Sequence, residues 1–129
     1  GKPFVFPIVK KVENEIVADL TLDKEYAPIE GVADFIQGSK MVVFGWEHPD
    51  VNSGRVVTCQ TLSGTGSLKV IGDFLNKFRK APIYMSRPTW ANHSPIFQSS
   101  GLEVRDYAYY DAKTKGLDLD GMVRDLANA

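Results

Sequence analysis

Ser63-Gly64-Thr65-Gly66 sets two hydroxyls and two glycines between the β-branched stretch Arg55–Leu62 and a helical pattern that follows. Hydroxyls donate hydrogen bonds, and glycine lacks the Cβ that would keep an anion away from the backbone. The first N–H groups of a helix have no intrahelical partner, and the aligned peptide dipoles place partial positive charge there, so phosphate binds such a turn readily. Each contact of this kind contributes about 0.3–1 kcal/mol when exposed, so several must converge to hold a cofactor. The spacing weakens two nucleotide readings. A P-loop needs GxxxxGK[ST], whereas Gly64-Thr65-Gly66 runs straight into Ser67-Leu68-Lys69, and a dinucleotide fingerprint needs a third glycine where Lys69 stands. A small terminal monophosphate suits the turn better. A plain strand-to-helix turn with a capping Ser or Thr fits the same residues.

A second cluster, Pro88-Thr89-Trp90-Ala91-Asn92-His93, follows the next strand pattern, on the same expected sheet edge. Trp90 and His93 are three apart, the spacing of neighbours on a helix face. An indole there offers its flat side to a heterocycle, and the imidazole can bond a carboxylate that serves the ring. Singly, Trp90 also reads as core filler and His93 as a satisfied polar residue. Together, cradle and platform point to a phosphorylated aromatic cofactor.

The elements that must position these residues follow from periodicity. Ile8, Val9, Val12, Ile16 and Val17 recur at helical spacing over 8–19, and 32–44 is helical again, with Gly38 and Ser39 inside it. Leu22 to Gly31 is irregular, carrying Tyr26, Pro28 and Gly31, and 45–54 is rich in turn residues. Residues 55–62, 82–86 and 103–111 are expected as strands. Leu68, Ile71, Leu75 and Phe78 mark the helix after the turn, residues 90–101 a short one, and 118–129 a last one capped by Asp118. Strands alternating with helices predict an α/β fold with a mainly parallel sheet, right-handed crossovers and ligands at the strands' C-terminal ends. Three such strands make a poor complete domain, because both faces of a parallel sheet need cover. The chain reads as half of a sheet.

Composition fits one ordinary domain: 129 residues, 43% hydrophobic and 24% charged, with a net charge of −1 and the two signs interleaved. Nothing suggests a nucleic-acid stripe or a membrane-attracted tail, and no apolar run approaches the ~20 residues a span requires. Cys59 is the sole cysteine, so no internal disulfide forms and a reducing, cytoplasmic location is the default. The start, Gly1-Lys2-Pro3, has neither a leader signature nor Met, so the chain is expected to begin after an initiator.

The stretches "QTLSGTGSLKV", "PTWANHSPIF", "DYAYYDAKTKGLDLDGM" and "KEYAPIEG" together resemble the aspartate aminotransferases, class I enzymes of fold type I that use pyridoxal phosphate. The likeness runs over nearly the whole chain and is weakest through Gln37–Asn52. It implies that 1–129 form the first, incomplete part of the cofactor-binding large domain, with 1–54 a helical and irregular opening segment and 55–129 the βα units that carry the cradle. Ser63, Gly64 and Thr65 would hold the cofactor's phosphate, and Trp90 would stack on the pyridine ring and lie near a substrate carboxylate. His93 would bond the aspartate that pairs with the pyridinium nitrogen, and Tyr26 would reach the phosphate bound by the other subunit of a homodimer. Without the resemblance, Tyr26 reads as a surface tyrosine.

In such enzymes the amino acid joins the cofactor as an aldimine, and the amino group passes from aspartate to 2-oxoglutarate. The family's Schiff-base lysine, its pyridinium aspartate and its carboxylate-gripping arginines have no counterpart here. Lys69 and Lys77 fall on the helix after the cradle and read as solvent-facing. No residue of this stretch is therefore assigned to catalysis, and none to a metal. An aromatic-amino-acid aminotransferase and a non-catalytic phosphate-binding module are the alternatives, and an organelle is the alternative location.

Overall fold

The computed structural model describes residues 1–129 as α/β, with six helices, one parallel strand pair and one small antiparallel pair. Helix α1 spans Pro7–Ala18 and opens on a proline, whose missing N–H costs nothing in a first turn. Helix α2 spans Ala33–Phe44 and runs through Gly38. The turn-rich region beyond it contains one helical turn, α3 (Pro49–Asn52), in which His48 Nδ1 accepts the Asp50 N–H at 3.2 Å. Helix α4 is the longest, Ser63–Phe78, and α5 covers His93–Ser99. Helix α6, Leu119–Ala127, is capped as expected: Asp118 accepts the Gly121 N–H at 2.9 Å.

Strands β1 (Ile83–Arg87) and β2 (Val104–Ala108) pair in parallel, with Ile83 opposite Val104 and Arg87 opposite Ala108. Helix α5 connects them, packing against α4 and β2, while α6 covers β2. The core is small. Met85, Phe97 and Leu102 are buried, and Leu68, Leu75, Ile83 and Val104 pack around them. Only four residues separate α4 from β1, and Leu68 and Leu75 of α4 pack against the core that includes Met85 of β1.

Two expected strands are corrected. Residues 55–62 form no strand, because their one backbone bond to a distant segment, from Gln60 to Glu30, is not repeated into a ladder. Val57 stands 91% exposed, and the stretch is tied instead by Gln60, whose N–H donates to Glu30 O at 2.7 Å and whose side-chain oxygen accepts the Val32 N–H at 2.9 Å. Gly31, at φ +104°, lies so close to Gln60 that a Cβ there would strike its side chain. The expected strand 103–111 ends at Ala108. After Tyr109, strand β3 (Tyr110–Asp111) turns back on β4 (Gly116–Leu117), with Tyr110 opposite Leu117. Asp111 closes that turn by accepting the Lys113 N–H and the Thr114 hydroxyl, each at 2.8 Å.

Candidate functional site

The backbone turns sharply into α4. Ser63 takes φ +55°, a left-handed conformation uncommon for a residue with a Cβ, and its N–H donates to Thr61 O at 3.0 Å. Its carbonyl accepts the Ser67 hydroxyl at 2.8 Å, and the Thr61 hydroxyl bonds that of Ser67. Leu62 occupies the cap position, and no side chain caps the helix, so Ser63 and Thr65 are not spent on the capping role open to them. The Gly66 N–H is taken by Leu62 O at 3.1 Å. That leaves the Gly64 and Thr65 N–H groups and the Ser63 and Thr65 hydroxyls without partners, all on exposed residues at the positive end of a sixteen-residue helix. A Cβ built on Gly64 would meet no atom within 4 Å, so packing inside the chain does not demand glycine there. The open side is where an anion would approach. A phosphate monoester, with several acceptor oxygens, fits this donor set.

The second cluster lies where β1 finishes. Trp90 precedes α5 rather than lying on it, and His93 is the first residue of that helix, its N–H donating to Trp90 O at 3.0 Å. The rings meet edge to face, centroids 5.3 Å apart at 86°. Trp90 is 50% exposed, half its surface turned outward. His93 Nδ1 is engaged by the Thr89 hydroxyl at 2.7 Å, which fixes the ring and leaves Nε2 as the nitrogen without a partner.

Ser63, Gly64 and Thr65 thus stand together, as do Trp90 and His93, and no hydrogen bond joins the two groups directly. Tyr26 is fully exposed in the irregular segment between α1 and α2 and makes no hydrogen bond. Thr61, Ser67 and Thr89 hold the site residues in place, yet no spacing rule singles them out. Lys69, expected in solvent, instead makes three bonds: to Asp73 Oδ1 at 2.6 Å, Ser100 Oγ at 3.1 Å and Ser99 O at 3.2 Å. The ammonium, and then the Ser100 hydroxyl, hold the Asp73 carboxyl below its ordinary range.

Residues 1–129 match the family described as aminotransferase class I and II. Aspartate aminotransferase 1 of Medicago sativa is 45% identical over 130 residues, covering 100% of this chain and 31% of the relative. The solved cytoplasmic aspartate aminotransferase of Saccharomyces cerevisiae superposes with a TM-score of 0.92 at 37% identity, over 99% of this chain and 31% of that one. The aromatic-amino-acid aminotransferase of Burkholderia pseudomallei, solved covalently bound to pyridoxal phosphate, gives 0.86 at 40% identity over 93% and 30%. The chain spans about a third of the length of the relatives it matches.

Proposed function

The chain belongs to the aminotransferase class I and II family, and from that premise we propose that it is the first part of the cofactor-binding large domain of a dimeric aspartate aminotransferase. The reaction is amino transfer from aspartate to 2-oxoglutarate, with pyridoxal phosphate as cofactor. Residues 1–54 form the opening segment of that domain and 55–129 its first βα units. The observation that carries the reading is the set of unpartnered donors on Ser63, Gly64 and Thr65 at the opening of α4.

Bound pyridoxal phosphate supplies an electron sink for the negative charge that develops at the amino acid's α-carbon. The residues of this chain bind and orient. Ser63, Gly64 and Thr65 take the phosphate through two amides and two hydroxyls. Trp90, half exposed beside α5, would stack its indole on the ring. His93, held through Nδ1 by Thr89, presents Nε2 to the carboxylate that pairs with the pyridine nitrogen. Tyr26 reaches the phosphate of the partner subunit's cofactor, a role in keeping with a side chain that has no intrachain bond. The lysine that moves the α-proton lies outside these residues, and this stretch alone is inactive. The cytoplasm is the proposed location.

The test is a substrate comparison on the full-length enzyme. Aspartate with 2-oxoglutarate should give faster turnover than phenylalanine or tyrosine with the same acceptor. The structural likeness to an aromatic-amino-acid aminotransferase supports the second reading, and a preference for the aromatic donors would replace the first with it. No transamination from either donor class would leave only phosphate binding.

A further inference from the structure

Helices α4 and α5 meet where two independent features coincide. The Lys69 ammonium, whose three N–H groups find three acceptors, bonds Asp73 on its own helix and both Ser99 O and Ser100 Oγ at the C-terminal end of α5, some thirty residues away in sequence. Ser100 is buried, and its hydroxyl also lies 3.3 Å from Ile96 O. One turn further along α4, buried Gly72 faces the same place: a Cβ there would sit 2.8 Å from Ser100 Oγ and 3.2 Å from a Phe97 ring carbon. A Lys–Asp pair four apart on a helix is by itself a weak surface feature. The two acceptors on α5 turn it into a bridge between elements, set at a helix C-terminus where a cation is favoured.

Those two helices carry the two halves of the candidate site. Helix α4 opens on Ser63–Thr65, and α5 opens on His93, beside Trp90. We propose that Lys69 is a positioning residue that holds the phosphate-binding end of α4 in register with the Trp90–His93 platform. The inference rests on the function proposed above. Lys69 touches neither phosphate nor ring; it sets the offset between the groups that do.

The experiment compares Lys69→Met and Lys69→Arg in the full-length enzyme. Lys69→Met keeps the apolar stem and removes the donors. Its apoenzyme should bind inorganic phosphate as the unsubstituted protein does, because the cradle is built locally. With pyridoxal phosphate bound, its induced circular dichroism should shrink and turnover fall about ten- to a hundred-fold, approaching the scale that a displacement of about 1 Å carries. Lys69→Arg should restore both. Unchanged dichroism and turnover in Lys69→Met would overturn the proposal, as would parallel loss of phosphate affinity. If Lys69→Met does not fold, Ser100→Ala, which deletes one acceptor, should show the same split in milder form, and its absence there would also overturn the proposal. Failure of the unsubstituted enzyme to bind pyridoxal phosphate would instead overturn the proposed function itself, and is seen without any variant.

Discussion

Thr65 carries both an amide and a hydroxyl, and neither is used within the chain. Replacing it with valine removes the hydroxyl and keeps the β-branched shape. A hydrogen bond to a charged group contributes about 1.5–3 kcal/mol, so Thr65→Val in the full-length enzyme should hold pyridoxal phosphate roughly ten- to a hundred-fold less tightly. Stability should shift by less than about 0.5 kcal/mol, as at an ordinary surface position. A titration of apoenzyme beside a denaturant melt checks both numbers, and unchanged affinity would speak against the cradle. Ser63, Gly64 and Thr65 are legible in sequence because hydroxyls, glycine and a helix start are local signals. The turn at Ser63 is not, since no spacing rule announces a serine at φ +55° or the Thr61 and Ser67 hydroxyls gathered around it. Lys69 was hidden for a different reason: two of its acceptors lie on another helix.

Elements were legible where a residue's own period decides the outcome. Helices α1, α2, α4 and α6 fall close to their expected bounds, because apolar spacing and the Asp118 cap act within a few residues. Residues 55–62 have the composition of a strand but form no ladder with another segment, and pairing is a property of two segments. The hairpin β3–β4 was hidden inside a run of tyrosines that reads as one strand; only the Asp111 turn reveals it. At this scale Asp125 ties α6 to the end of β2, accepting the Ala108 N–H at 2.8 Å. That bond, then Arg124 beside it, holds the Asp125 carboxyl below its ordinary range. A depressed folded-state value means the contribution is complete above the unfolded value of about 3.9 and is lost as pH falls through the folded one. The gap in denaturant midpoint between the unsubstituted enzyme and Asp125→Asn should therefore be constant at neutral pH and close below about pH 4. A gap that persists unchanged into strong acid would contradict the assignment.

Over the whole molecule, apolar surface outruns what the chain itself covers. Three hydrophobic residues are buried, while α1 turns Ile8, Val9, Val12 and Ile16 outward and α2 exposes Val42 and Val43. A cleft of about 380 Å³ lies between residues 55–62 and α4, lined by Val57, Cys59, Val70, Ile71 and Phe74. Exposed apolar area on this scale marks surfaces that pack against something else, in keeping with a chain that spans about a third of its relatives' length. The dimer and the cross-subunit role of Tyr26 are proposals for the full-length enzyme. The phosphate cradle itself is local, and a crystal structure of the full-length enzyme with pyridoxal phosphate bound tests it. The cofactor's phosphate oxygens should lie within hydrogen-bonding distance of the Gly64 and Thr65 amides, with the Trp90 indole over the ring. A phosphate seated elsewhere, with Ser63–Thr65 facing only water, would contradict the account.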